Sequence, residues 1–229
     1  MKDYAVLERN LGYSFQDKKL LAHALTHSSY ASEHDLAYSE NNERLEFIGD
    51  AYLDAIIGNK LYEVMPNQPE GVLSKTRANI VCERSLATIA RNIGLGDFLF
   101  LGNGEEMYGG REKDSLLADA VEAIIGAIIR ESGYDCADRV VLKLFEENIL
   151  LALQGKLYHD YKTALQEMLQ ERYKNVRIQY EPVSESGPDH RKVFTVQVKA
   201  DDAVLATGSG HSKKAAEQEA ARKVLMKGV

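Results

Sequence analysis

The chain has 229 residues, 45% of them hydrophobic, with 28 Lys and Arg against 35 Asp and Glu and a formal net charge of −7. That size holds one large or two modest domains with a real core, which excludes disorder as the default. The acid excess argues against a nucleic-acid partner until it is divided: residues 1–155 carry −10 and residues 156–229 carry +3, an asymmetry that predicts two domains with different tasks.

The opening MKDYAVLERNLGYSF is charged from its second residue and has no apolar run, so neither a secretory signal nor an anchor is expected. The longest apolar stretch, Ala123–Ile129, is far shorter than the roughly 20 residues that a membrane span needs. A cytoplasmic protein with no membrane partner is expected. Cys82 and Cys136 lie in apolar, helical-looking surroundings without a CxxC or Cys/His cluster, so reduced core thiols are expected rather than a disulfide framework or a zinc site.

Residues 1 to about 153 read at helical period, in segments separated by Gly, Pro or Asn punctuation such as MPNQPEG and FLGNGEEMYGGREKD. Within NERLEFIGDAYLDAI, the acidic residues Glu43, Glu46, Asp50 and Asp54 fall on one stripe about 80° wide, taking about 100° per residue. Leu45, Ile48, Tyr52, Ala55 and Ile56 stand opposite as a core face. A solvated acidic face would explain such a stripe. Only Arg44 interrupts it, however, so the repulsion of like charges four apart goes largely unrelieved.

A second segment, SLLADAVEAIIGAII from Ser115 to Ile129, contains two charged residues, Asp119 and Glu122, on a shared face. A carboxylate in such apolar surroundings costs several kcal/mol unless it is paired or binds metal. A buried salt bridge to Arg44, Lys75, Arg77 or Arg111 is one solution. The other is a hard ion, Mg²⁺ or Mn²⁺, held by carboxylates from two helices. Neither helix has a His three residues after a Glu, the pattern of di-iron bundles. GNGEEMYGGR follows no strand and lacks a GKS or GKT ending, so it reads as a turn, and no nucleotide cofactor is expected. His27 can be read as a base or as a capping residue, since Ser28 and Ser29 follow it.

From residue 158 the pattern becomes helix (160–173), three alternating strands (177–184, 192–199, 203–207) and helix (212–226), with turns at Gly187-Pro188 and Asp201-Asp202. A three-stranded sheet with both helices on one face is the natural packing. Ser212 reads as the N-cap of the last helix, with Lys213 and Lys214 in its first turn. Cations there oppose the helix dipole, at an end whose free N–H groups suit phosphates. A solvated helix start is the plainer reading.

NERLEFIGDAYLD resembles the signature of the ribonuclease III family, and SLLADAVEAIIGA its second conserved block. GYSF, ALTHSSY, EGVLSKTRA and GGREKDSLLAD extend the likeness over nearly the whole chain. The resemblance implies a multidomain protein: an all-α nuclease domain at residues 1–155, then an α-β-β-β-α double-stranded-RNA-binding domain at 156–229. It implies an endoribonuclease that hydrolyses both strands of duplex RNA, acts as a homodimer and serves rRNA and mRNA processing. By position, Glu46, Asp119 and Glu122 correspond to the metal ligands, and Asp50 and Glu122 to the essential catalytic residues. Glu43 and Glu70 match acidic positions around the RNA-processing valley. Phe47 matches a dimer contact, although an ordinary core aromatic would read the same. In the second domain, Thr163, Gln166 and Glu167 match minor-groove contacts, His190 the second contact, and Lys213 and Lys214 the phosphate grip. Ser28 stands where many members carry arginine, and Asp54 adds a carboxylate; neither removes a matched ligand.

Two other functions fit parts of the pattern. A non-catalytic RNA-binding protein would use its acidic half only for assembly, and a helical metal enzyme acting on a small phosphorylated metabolite would leave the basic half unexplained.

Overall fold

The computed structural model describes residues 3–155, 157, 161–174, 176–187, 192–201 and 203–227. The chain divides into two compact units, Met1–Leu157 and Tyr158–Val229.

The first unit is helical, with α1 (Ala5–Leu11), α2 (Lys18–Ala24), α3 (Ser28–Glu33), α4 (Glu43–Val64), α5 (Glu70–Ile80), α6 (Glu83–Asn92), α7 (Asn103–Met107), α8 (Asp114–Ser132), α9 (Tyr134–Leu144) and α10 (Glu146–Leu153). The glycine-rich GNGEEMYGGR segment forms α7 and a 3-10 turn at Gly110–Glu112. Helix α8 is the centre of the unit. Its residues Leu117, Ala120, Val121, Ala123, Ile124, Ile125, Ala127 and Ile128 are all buried, because an uninterrupted apolar run can be satisfied only by neighbours on several sides. Those neighbours are chiefly α4 and α6, with α9 and α2.

Helix α4 corrects one expectation. Its buried positions are Leu45, Gly49, Leu53, Ile56, Ile57 and Leu61, whereas Ala55 is exposed and Ile48 and Tyr52 are half-buried. The core face thus lies beside the acidic stripe and not opposite it. The sequence reading assumed a helix at a flat surface, but α4 is wedged against α8 along Gly49, so the seam runs next to the carboxylates. The cysteines also differ from expectation: both are free, but each is partly exposed, and Cys82 immediately precedes the first turn of α6.

The second unit contains α11 (Tyr161–Tyr173), β1 (Ile178–Ser186), β2 (Val193–Ala200), β3 (Ala203–Gly210) and α12 (Lys213–Lys227). The sheet is antiparallel in the order β1-β2-β3. Leu165 and Leu169 of α11 join Val198, Ala206, Ala220, Ala221 and Val224 in one core. Each fully buried Leu or Val contributes about 1.5–3 kcal/mol. Strand β3 runs three residues beyond the predicted end. Gly208 pairs with Val196 inside the ladder, and a Cβ there would lie 2.2 Å from the Ala220 amide. Gly208 is therefore where α12 presses on the sheet.

Candidate metal centre and nucleic-acid interface

The centre is built by the crossing of α4 and α8. A Cβ on Gly49 would stand 1.8 Å from the Glu122 carbonyl oxygen, and one on Gly126 would stand 2.0 Å from that of Leu45. Two glycines thus let the helices meet backbone to backbone. One turn before Gly49 on α4 is Glu46; on α8, Glu122 is level with the contact and Asp119 lies one turn earlier. One carboxylate oxygen from each of Glu46, Asp119 and Glu122 falls within 4.8 Å of the others, and all three residues are half-buried.

The electrostatics of the three acids favour positive charge between them. Burial, followed by repulsion from Asp50, Glu46, Asp119 and Asp54, pushes Glu122 up to about 8. Burial also raises Glu46, helped by Asp119, Glu43 and Asp50. Asp119 is raised by burial, against a lowering influence of His27. Among the described residues, no lysine or arginine lies within ion-pair distance of these three carboxylates. Of the four cations suggested by sequence, Arg77 sits 3.7 Å from Asp54 and Arg111 binds Glu106 at 2.6 Å, while Arg44 and Lys75 form no ion pair with the three. The buried salt-bridge solution is not the one this fold adopts. An all-oxygen donor set of three acids, partly desolvated and without a cation, fits a hard divalent ion.

The other acidic positions separate. Asp50 is exposed on α4, one turn beyond Glu46, and raises both Glu46 and Glu122. Glu43 accepts the Tyr38 hydroxyl at 2.6 Å. Glu70 begins α5 and accepts the Ser74 hydroxyl at 2.6 Å; it is not part of the three-carboxylate group. Phe47 is 77% exposed, so it is not a core aromatic. Beside it runs an open groove of about 620 Å³, lined by His23, Tyr38, Arg44, Ile48 and Arg130 among others. His27 is the N-cap of α3, its ring accepting the Ser29 amide. Sequence reasoning missed Gly49 and Gly126; the signal was a glycine within each apolar helix, at a position with no turn to explain it.

In the second unit, Thr163, Gln166 and Glu167 share a face of α11 by their spacing of three and four; Gln166 and Glu167 are exposed and Thr163 half-buried. Ser212 caps α12 by accepting the Ala215 amide at 3.1 Å. Lys213 and Lys214 are exposed on the first turn, Lys213 lying 3.7 Å from Glu185 and over the Phe194 ring at 5.9 Å. His190 lies outside the described residues, as do Pro188 and Asp202 of the predicted turns. Among the described residues, no helix is long and apolar enough to cross a membrane.

Residues 17–172 match the ribonuclease-III-like family, and residues 161–227 match the double-stranded RNA binding motif. The chain belongs to the ribonuclease III family. It is 51% identical to Ribonuclease 3 of Caldanaerobacter subterraneus subsp. tengcongensis over 221 residues, covering 96% of each chain. It is 47% identical to Ribonuclease 3 of a Sulfurovum species over 223 residues, covering 97% of this chain and 96% of that one. A solved nuclease domain of the Campylobacter jejuni ribonuclease III superposes with a TM-score of 0.60 at 49% identity, over 64% of this chain and 98% of that one. That Campylobacter jejuni domain shows structural flexibility in a region involved in its dimer formation. Family membership and the helical architecture agree with the fold implied by the signature motifs.

Proposed function

We propose that this ribonuclease III family member is an endoribonuclease that hydrolyses phosphodiester bonds in both strands of double-stranded RNA, with residues 1–155 as the nuclease domain and 156–229 as the RNA-binding domain. The observation that carries the reading is the convergence of Glu46, Asp119 and Glu122 in a chain that also bears a double-stranded RNA binding motif. These three carboxylates hold a divalent ion, Mg²⁺ with Mn²⁺ as a substitute. Such an ion supplies an activated water and neutralises charge at the phosphate under attack.

The protein's own part is positioning. Glu46 and Glu122 stand on helices whose backbones meet at Gly49 and Gly126, so their carboxylates are held together by a close helix crossing. Asp50, exposed beside them, is the acceptor nearest the substrate side and, with Glu122, the catalytic residue. Glu43 and Glu70 line the approach for RNA. Duplex RNA is read by shape across two minor grooves: Thr163, Gln166 and Glu167 take one, the segment with His190 takes the next, and Lys213 and Lys214 grip phosphates at the start of α12.

A break in duplex RNA needs two cuts, and a homodimer supplies two centres. Phe47 and the groove beside it form the contact, since an aromatic ring 77% exposed next to an open groove is a surface that gains by burial. The setting is cytoplasmic, and the substrates are rRNA and mRNA precursors.

The test is cleavage of a long RNA duplex, compared with the matching DNA duplex and a single RNA strand, in Mg²⁺ and in EDTA. Fragments from the RNA duplex alone, abolished by EDTA, are expected. Metal-independent cutting or equal cutting of DNA rejects the reading.

A further inference from the structure

Strand β1 changes face part-way along. Glu181 pairs with Gln197 and Pro182 with Val196, so Pro182 lies on the face that carries the buried Val196 and Val198, and Glu181 lies on the opposite, open face. The register then slips. Pro182 pairs with Val196 but Ser184 pairs with Thr195, which leaves Val183 as a bulge. A bulge re-aims the side chains that follow it. Strict alternation would place Glu185 beside Glu181 on the open face; the slip turns it to the helix side, opposite Phe194.

The row continues into β3, where Phe194 pairs with Gly210. A Cβ on Gly210 would lie 2.8 Å from the Ala215 Cβ and from the Ala216 amide nitrogen, so the first turn of α12 rests directly on the end of the strand. Lys213 reaches back over this row. Its Nζ stands 5.9 Å from the centre of the Phe194 ring, within the range of a cation–π contact, and 3.7 Å from Glu185 Oε1. The other oxygen of the same carboxylate, Oε2, is 3.2 Å from the Nζ of Lys192, the residue before β2. One carboxylate therefore bridges two ammonium groups, one on each oxygen, at the end of α12 that faces phosphate in the proposed mode of RNA binding. Two cations converging on one anion is how lysines hold a phosphate. Here the anion is the chain's own.

We propose that Glu185 is an internal counter-ion of the phosphate grip: its carboxylate fills the anion position between Lys192 and Lys213 in the free protein and yields it to a phosphate of duplex RNA. The exchange is easy, because the three side chains are 39–64% exposed and ion pairs in such settings are weakly held. Its consequence is a lower affinity for any polyanion that touches this face through charge alone. The proposal rests on the start of α12 being the phosphate grip, and the experiment separates the two claims.

Four variants of the full chain are compared with the unaltered protein: Glu185→Gln, Glu181→Gln, Lys213→Ala and the double variant Glu185→Gln/Lys213→Ala. The readouts are the melting temperature and the Kd for a perfect RNA duplex in EDTA, measured across a salt series. Glu185→Gln is expected to melt near the unaltered protein and to bind about two- to fivefold more tightly at low salt, the range over which exposed ion pairs act. The plot of log Kd against log salt is expected to steepen by about one, because the face then presents one more net positive charge to the phosphates. A merely structural role would not steepen it. Glu181→Gln removes the same charge from the open face of the same strand, where Glu181 holds Lys199 at 2.6 Å, and is expected to leave Kd and slope unchanged. On the Lys213→Ala background, the gain from Glu185→Gln is expected to shrink, as for any pair that acts through a contact. Weaker binding or an unchanged slope in Glu185→Gln overturns the proposal, and so does an equal gain in Glu181→Gln, which would assign the effect to overall charge. If Lys213→Ala leaves both Kd and slope unaltered, the start of α12 is not the grip and that reading falls as well; if Lys213→Ala weakens binding while Glu185→Gln does not tighten it, only the counter-ion is lost.

Discussion

Glu122 holds its proton at neutral pH in the metal-free protein, because burial and then four neighbouring acids push it up to about 8. In the unfolded chain the same group ionises near its ordinary value. The folded state therefore binds more protons between those limits, and stability falls as pH rises from about 4.5 to about 8. Glu122→Gln removes this contribution while keeping the shape. Melts in EDTA are expected to show a flatter pH dependence for the variant and a higher melting temperature than the unaltered protein at about pH 8. Cleavage is expected to vanish and duplex-RNA affinity to stay nearly unchanged. An identical pH slope would show that Glu122 is not the group under strain. At this scale the sequence was informative wherever a charge stood in the wrong company: Asp119 and Glu122 were legible because nothing else between Ser115 and Ile129 is charged. Phe47 was ambiguous because an aromatic on an amphipathic helix serves a core or a partner equally, and only its exposure separates the two.

Helices α4 and α8 are specified by apolar period, but their distance is specified by Gly49 and Gly126. Gly49→Ala and Gly126→Ala each place a methyl about 2 Å from a carbonyl oxygen of the opposite helix, which is impossible without moving the helices apart. The expected destabilisation is at or above the upper end of the ~1–3 kcal/mol usual for overpacking, with Mn²⁺ affinity lost even at temperatures where the fold survives. Denaturant melts and metal titration check this; wild-type metal affinity in a folded Gly49→Ala protein would mean that the crossing does not set the site. The wheel drawn for α4 put the core opposite the acids because a wheel describes one helix at a flat interface. The seam beside the acids is a property of the pair, visible only when both helices are placed. Strand β3 teaches the same lesson: its last three residues lie beyond the apolar alternation, and Gly208 is in the ladder where α12 needs the room.

For the whole molecule, the division of charge was legible from composition, and the two-unit organisation follows the same division. With the excess of positive charge in the second unit, a chain truncated after Gly155 is expected to cut duplex RNA at low salt and to fail at lower salt than the full chain. Binding falls as a power of salt set by the number of phosphate contacts. Cleavage measured across a salt series checks this, and an unchanged profile would remove the second unit as the anchor. Assembly makes a further prediction. Because Glu46, Asp119 and Glu122 come from one chain, a purified mixed dimer of one unaltered chain and one Glu122→Ala chain is expected to nick a single strand of the duplex. Complete inactivity would mean that the centres are shared between chains. Sequence could not supply the groove beside Phe47, since its walls come from separate segments, with His23 on α2, Arg130 on α8 and Tyr38 between α3 and α4.

At Gly49 and Gly126 the helices α4 and α8 meet backbone to backbone, and Glu46 joins Asp119 and Glu122 only when that contact has closed. The cost of gathering those charges then falls late, on the native side of the folding barrier. A divalent ion is accordingly expected to slow unfolding while leaving the refolding rate where it is in EDTA, as for any interaction absent from the transition state. Stopped-flow measurements over a denaturant series, with Mg²⁺ and with EDTA, would show the difference on the unfolding limb; acceleration of the refolding limb by Mg²⁺ would mean that the helices dock before the barrier is crossed.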